Sequence, residues 1–194
     1  MAMISIPDTL PPAEQARIHA GILLCSGLAA QGVLLLKLTA WGNLLISIAL
    51  LALLAIAFAA GAYVAQWPAI QRQNRLPRLR QGFLISAAGL LLLLAASRDL
   101  PHWLPMLAGI LLSGLGQGMV GNAVMKGGKK AWHTGYTPGL MAILLSTGVV
   151  LAVTAALLLQ TRFAGTAGFP YAFGLLLDLS LLGALYVRII ESEN

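Results

Sequence analysis

The stretch that decides the fold runs from Leu44 to Ala62 and reads LLISIALLALLAIAFAAGA. It contains no charged residue, and Ser47 is its only polar side chain. An α-helix needs about 20 mainly apolar residues to cross the hydrocarbon of a bilayer, because each backbone amide must find its partner within the segment. The stretch lacks the alternation of a membrane β-strand, so it predicts a transmembrane helix.

Five further apolar stretches pass the same test or come close to it. The predicted spans are Ile18 to Leu38, Gly42 to Gln66, Gln81 to Ala96, Trp103 to Met125, Thr137 to Gln160 and Phe169 to Ile190. Only 9% of the residues are charged, whereas a soluble domain has about a quarter. We therefore predict an all-α, polytopic bundle of six transmembrane helices over residues 18–190, with a cytoplasmic arm at 1–17 and a cytoplasmic tail at 191–194.

The basic residues predict the orientation, since Lys and Arg are retained on the cytoplasmic side during insertion. With six spans, nine basic residues lie on one side and three on the other. The nine are Arg17, Arg72, Arg75, Arg78, Arg80, Lys126, Lys129, Lys130 and Arg188, and the three are Lys37, Arg98 and Arg162. We predict that the protein is integral to the cytoplasmic (inner) membrane, with both termini cytoplasmic and its basic loops in contact with membrane lipid.

Composition and motifs argue against several other functions. No basic region is interleaved with aromatic residues on a soluble face, so the net charge of +6 does not predict a nucleic-acid partner. The single Cys25 excludes an internal disulfide, and His19, His102 and His133 fall at span ends on both sides of the membrane. The chain has no nucleophile elbow and no phosphate-binding loop. We predict that it is not an enzyme and that it binds no cofactor and no metal.

A weak internal similarity relates the first and fourth spans. Ala20 to Leu24 recurs as Ala108 to Leu112, and each copy is followed by Ser-Gly-Leu and then by Gln-Gly, at Gln31 and at Gln117. A true repeat would make the fold two inverted three-helix units, as in many transporters. The alternative is a chance match, because the alignment needs two one-residue gaps and Gly, Ala and Leu are abundant.

The fourth span carries a run of small and polar residues, SGLGQGMVGN, from Ser113 to Asn122. Small residues one helical turn apart let two helix backbones approach closely in lipid. This pattern predicts helix packing at Gly114, Gly118 and Gly121. Gln117 and Asn122 are buried amides that could either bond across the same contact or line a polar cavity.

Part of the chain resembles a known family of transporters. Gly114 to Val120, followed by a basic loop, Pro138 to Ala142 and Ser146 to Gly148, is similar to the middle of the carboxy-terminal six-helix half of major facilitator superfamily transporters, and most similar to the drug:proton antiporter branch. The last span, from Tyr171 to Arg188, resembles the closing helix of that half. The basic tract from Gln71 to Arg80 falls where the superfamily has a cytoplasmic loop.

The resemblance implies a half-transporter, because superfamily members carry two such halves. A homodimer or a second membrane subunit would then have to close the central cavity. The loop after Gly61 lacks the acidic residue and the Gly-Arg pattern of the superfamily signature. A second resemblance is to YoaK-like six-helix bacterial membrane proteins, through Gly121 to Ala123 and His133 to Thr137. The first span lacks the early acidic residue usual in that family.

Asp178 is the one acidic residue deep in a predicted span. A carboxylate in hydrocarbon costs at least about 2.5 to 3.5 kcal/mol, so this short side chain should face protein or water. It is a candidate proton site, because a carboxylic acid can bind and release the proton that a coupled carrier needs. The alternative is a structural, neutral Asp that bonds to Gln31, Gln117 or Asn122.

Three functional hypotheses follow. The weakest is a membrane enzyme, which would need clustered titratable groups at one interface, and this sequence barely supplies them. A transporter or half-transporter, exporting a small-molecule substrate in exchange for protons, predicts a polar cavity at mid-membrane reached by Asp178, Gln117, Asn122 and Gln31. A non-catalytic membrane subunit or scaffold predicts the same groups paired and dry, with the small-residue stripe packed on a partner protein.

Overall fold

The computed structural model describes residues 12–39, 44–67, 75–98, 103–126 and 168–192, together with helical residues 149, 152–155, 157–158 and 161. Its five long helices are α1 (Pro12–Thr39), α2 (Leu44–Val64), α3 (Arg75–Arg98), α4 (Trp103–Lys126) and α5 (Gly168–Ser192). Each is long and apolar enough to span a membrane. The described residues contain no β-strand, which confirms the all-α prediction. The predicted span from Thr137 to Gln160 lies outside the described residues, apart from its few helical positions.

The helix bounds agree with the predicted spans except at the starts of the first and third. α1 begins at Pro12, within the predicted arm, and not at Ile18. α3 begins at Arg75, before the predicted start at Gln81, and it ends at Arg98. Pro77 lies in its first turn, where a missing N–H costs no helical hydrogen bond. The apolar span from Pro77 to Ser97 is therefore as long as the others.

α4 is the central helix of the described bundle. Of its span, 61% is buried within the protein, compared with 28% for α2. α2 runs parallel to it, since Leu54 contacts Gly114 and Ala62 contacts Asn122 eight residues further along both helices. α3 runs antiparallel to it, with close backbone approaches where glycines face each other across the two helices.

Two polar contacts place the first turns of α1 and α3 beside the last turns of α5. The Tyr186 hydroxyl lies 3.2 Å from His19 Nδ1, and the two rings meet edge to face. Arg80 donates to Glu191 at 2.7 Å. The beginnings of α1 and α3 therefore lie on the same side of the bundle as the end of α5. α4 ends on that side too, because Val124 lies beside Gly21, so α4 ends and α5 begins on opposite sides.

The apolar core of the described residues consists of two clusters, one toward each end of the helix bundle. The larger cluster includes Leu34, Ile110 and Phe173, and the smaller includes Ala20 and Val120. On α1, α3, α4 and α5, the residues of the two clusters are separated by a middle stretch of each helix. These middle stretches hold the buried side chains of Ser26, Ser86, Ser113 and Gln117, and Gln31 lies at the edge of the stretch on α1.

Candidate functional site

Four helices bring polar side chains together near the middle of the bundle. We call this set the polar layer; it comprises Gln31 of α1, Ser86 of α3, Ser113 and Gln117 of α4, and Ser180 of α5. Gln31 and Ser113 are fully buried, and Gln117 is 5% exposed. A buried amide costs several kcal/mol unless it is hydrogen-bonded, about 4 to 8 against a wholly apolar phase. The partners of these side chains therefore decide what the layer can do.

Three of these side chains form one hydrogen-bonded chain between α1 and α4. Ser113 Oγ donates to the carbonyl of Ile110 at 3.1 Å, so it accepts from Gln31 Nε2 at 2.7 Å. Gln31 Oε1 then accepts from Gln117 Nε2 at 2.8 Å. Each bond determines the direction of the next, because an amide donates through its nitrogen and accepts through its oxygen. The chain therefore ends at Gln117 Oε1, an acceptor.

That acceptor belongs to a residue that lines a small cavity between α1, α3, α4 and α5. The cavity leaves about 10 Å³ for the centre of a water molecule and is lined by Leu23, Leu24, Gly27, Phe83, Ser86, Gln117, Val120 and Ser180. Gln117 Oε1 and Ser86 Oγ are buried and have no hydrogen-bond partner among the described residues. A site of this size and polarity fits one water molecule. It could accept from Ser86 and donate to Gln117.

Asn122 and the glycine stripe lie on another face of α4, against α2. Asn122 Nδ2 donates to the carbonyl of Ala62 at 2.9 Å. A Cβ atom on Gly118 would strike the backbone of Phe58, and one on Gly114 would lie 2.7 Å from Ala57 Cβ. The structure thus places the stripe inside this chain, where it joins two of its own helices.

Gly121 also faces α2. A Cβ atom there would lie 2.8 Å from the ring of Phe58. All three glycines named from the sequence therefore lie at close helix contacts, and Asn122 bonds to backbone across one of them.

Asp178 lies apart from these groups. Its side chain is exposed on the outer surface of α5, and the hydrogen bonds of the described residues do not include one to its carboxylate. Ser180, only two residues away, lines the cavity on the opposite side of the helix. Gln31 and Gln117 bond to each other, so Asp178 does not meet the amides that the sequence offered as its partners.

The two glutamines that bond to each other occupy matching places in the suggested repeat. Gln31 on α1 and Gln117 on α4 each precede a glycine in the two similar stretches. A contact between equivalent residues is what a pseudo-two-fold axis between α1 and α4 would produce. The inverted repeat itself stays a prediction.

Sequence reasoning did not select Ser86 and Ser180. Each is a lone serine in an apolar span, and such a serine usually bonds back to its own helix, as Ser97 does to Leu94. Only the convergence of four helices distinguishes Ser86 and Ser180 from that ordinary case.

Other features of the described residues bear on a cofactor or metal. No group of three or more His, Cys, Asp or Glu side chains there could hold a metal ion.

No family model, curated protein or solved structure matches the chain. The resemblances to the major facilitator superfamily and to YoaK-like proteins therefore stay predictions, and function is argued from the residues alone.

Proposed function

We propose that this chain is a membrane subunit that acts by assembling with another membrane protein. Its membrane character rests on the five apolar helices. The observation that carries the proposal is the distribution of polar groups among the described residues: the amide nitrogens of Gln31, Gln117 and Asn122 are buried and hydrogen-bonded, whereas the carboxylate of Asp178, midway along α5, is exposed.

The interior supports a packing role. Gln31, Ser113 and Gln117 use most of their hydrogen-bonding groups on one another, and Asn122 is anchored to α2. The cavity beside Gln117 has room for about one water molecule, far below the roughly 300 Å³ or more of a small-molecule site. These groups hold the helices of one subunit together.

The exterior supports assembly. α5 runs from Gly168 to Ser192, so Asp178 lies near the middle of its span. An ionisable group at that depth almost always faces protein or a water-filled space, because acyl chains offer it no hydrogen bond. A partner protein on the outer face of α5 would give Asp178 the hydrogen-bonding groups that acyl chains lack.

The test is photocrosslinking in native membranes from a reactive residue at Leu182, one turn from Asp178. Leu182 is 58% exposed, and Leu91 on α3, 54% exposed, is the matched control. We expect a protein adduct from position 182 and chiefly lipid adducts from position 91. Lipid adducts alone from both positions would overturn the proposal.

A half-transporter is the second candidate, and the position of Asp178 favours it as well. If two subunits enclosed a path between them, Asp178 would face that path and could carry a proton across it. Export of a small molecule would then depend on the assembled form.

Solvent access distinguishes the two candidates. With Cys25→Ala as background, a cysteine at Asp178 would react with a membrane-impermeant thiol reagent if it faced an aqueous path. In a packing subunit the same cysteine would not react. Leu91→Cys is the control, because Leu91 is exposed on α3. Its labelling measures how far the reagent reacts with a cysteine that faces lipid.

A further inference from the structure

Arg78, in the first turn of α3, is a half-buried cation without a partner. Its Nε is buried and has no hydrogen-bond acceptor, and no hydrogen bond or ion pair of the described residues involves its guanidinium. Nε is the only nitrogen of this group that is fully buried, so the two outer nitrogens reach the surface. A guanidinium carries five N–H donors, and donors left without acceptors cost free energy. An acceptor for Arg78 must therefore come from outside the described residues.

The neighbouring Arg80 is satisfied within the chain. It donates to Glu191 of α5 at 2.7 Å. Arg78 lies two residues earlier and so on nearly the opposite side of the helix. It lies one turn before Gly82, which packs against Val120 of α4. Glu191 thus neutralises Arg80 and leaves the charge of Arg78 unpaired.

The chain offers few carboxylates to this end of the bundle. Residues 127–167, most of which lie outside the described residues, contain no Asp or Glu. Asp178 lies midway along α5, and Glu191 is already paired. On the side where α3 begins, the terminal two turns of the helices hold six basic residues and two acidic ones: Arg17, Arg75, Arg78, Arg80, Lys126 and Arg188, with Glu14 and Glu191. This excess of positive charge attracts anions.

The depth of Arg78 matches that of the headgroup phosphates of a bilayer. The apolar span of α3 begins at Pro77, so Arg78 lies at its boundary. About two and about four helical turns further along the same side of α3 lie Ile85 and Leu92, which are apolar and partly exposed. An acyl chain can lie along this flank while its phosphate meets the guanidinium. A free phosphate ion would use the guanidinium alone.

We propose that Arg78 binds the phosphate of an anionic lipid headgroup, with an acyl chain along Ile85 and Leu92. We call this the Arg78 site. The outer nitrogens of a guanidinium form a planar fork that matches two phosphate oxygens. A lipid whose phosphate has no ammonium group beside it fits best, because its net negative charge offsets the positive charge at this end. The proposal requires the membrane character of the chain and is independent of the partner of Asp178.

The test uses the full chain, purified in detergent and titrated with phosphatidylglycerol, with native mass spectrometry as the readout. Arg78→Gln removes the guanidinium. Arg188→Gln is the control, because it removes the same charge from the exposed surface of α5 on the same side. We expect Arg78→Gln to weaken phosphatidylglycerol binding by about fivefold or more, since both the charge and the fork are lost. Arg188→Gln should weaken it by less than about twofold, because that charge acts only through the general surface potential.

Two further probes identify the source of the phosphate. Phosphatidylcholine with the same acyl chains carries the same phosphate beside an ammonium group. It should bind about fivefold more weakly than phosphatidylglycerol and respond little to Arg78→Gln. Inorganic phosphate should fail to displace phosphatidylglycerol, because it makes no contact along Ile85 and Leu92. Displacement by inorganic phosphate would assign the site to a free anion and overturn the lipid.

Arg78→Lys separates the fork from the charge. Lysine keeps one positive charge but cannot offer two parallel N–H bonds in a fixed plane. We expect its affinity for phosphatidylglycerol to lie between those of the unaltered chain and Arg78→Gln. An affinity equal to that of the unaltered chain would overturn the forked contact.

Thermal stability keeps the test independent of folding. Without anionic lipid, Arg78→Gln should melt at the same temperature as the unaltered chain, because Arg78 bonds to none of the described residues. Phosphatidylglycerol should raise the melting temperature of the unaltered chain and not that of Arg78→Gln. A lower melting temperature of Arg78→Gln without lipid would reveal a partner within the chain. Equal losses of lipid binding in Arg78→Gln and Arg188→Gln would reveal diffuse surface attraction, and either result would overturn the Arg78 site.

Discussion

Gln117 Nε2 donates to Gln31 Oε1 at 2.8 Å, and this bond joins α1 to α4 inside the helix bundle. It is the last bond of a chain that starts at the Ile110 carbonyl and ends at Gln117, beside the cavity. The polar layer therefore ties the first helix of the bundle to its most buried one.

The first prediction concerns that bond. Gln31→Leu leaves Gln117 and Ser113 without their partner, and Gln117→Leu leaves Gln31 Oε1 without a donor. We expect each variant to destabilise the fold by about 1 to 2 kcal/mol, and the pair to couple by about 0.6 kcal/mol and at most about 1.7. A double-mutant cycle on thermal or denaturant unfolding in detergent measures the coupling. Ser26→Ala is the control, because Ser26 bonds only to its own helix at Ile22, and additive effects would contradict the prediction.

The second prediction concerns the contact of α2 with α4. A Cβ atom on Gly118 would collide with the backbone of Phe58, which cannot move aside as a side chain can. We expect Gly118→Ala to destabilise the fold by about 1 to 3 kcal/mol, as overpacking does. Gly32→Ala is the matched control, since its Cβ would lie 3.8 Å from Leu51, an ordinary contact. Equal thermal stability of the two variants would show that α2 and α4 do not pack in this way.

The third prediction concerns the cavity. We expect one water molecule to bridge Ser86 Oγ and Gln117 Oε1, so Ser86→Ala should lower the unfolding free energy by about 1 kcal/mol. In the control, Ser97→Ala, the lost hydroxyl donates only to its own helix at Leu94, and a smaller effect is expected. Unfolding in the same detergent measures both. A Ser86→Ala protein that is as stable as the unaltered chain would mean that the cavity is dry.

The fourth prediction concerns the ion pair between Arg80 and Glu191. The two side chains are 36% and 28% exposed, so solvent and salt screen their attraction. We expect Glu191→Gln to destabilise the protein by less than about 1 kcal/mol. The charge-exchanged variant that combines Arg80→Glu with Glu191→Arg should recover most of the loss. Melting temperatures at low and high salt measure both, and a loss independent of salt would argue for a buried pair.

Hydropathy predicted the helices well because a membrane span is a local property of the chain. The described bounds of α2 and α4 differ little from the predicted ones, and α3 extends beyond the predicted span at both ends. The close contact at Gly114 and Gly118 was also predictable, since small residues one turn apart have few other uses in lipid. The sequence did not reveal that their partner would be α2 of the same chain.

The environment of Asp178 could not be predicted, because α5 is apolar on every side. In a soluble helix, the polar face shows which way the helix is turned. In α5, Phe173 packs inside the bundle and Leu182 faces out, so both faces of the helix are hydrophobic. Only packing then determines how the helix is rotated about its own axis. The polar layer was equally hidden, since its bonds join residues more than 80 positions apart.

The contact between His19 and Tyr186 has a consequence for how the chain can be joined to others. Because the first helix starts where the last one finishes, a second copy fused behind the first through a short tether would enter the bilayer in the same sense. Gene duplication could therefore join two copies in one polypeptide. No extra transmembrane helix would be needed between them to give the second copy the same orientation as the first.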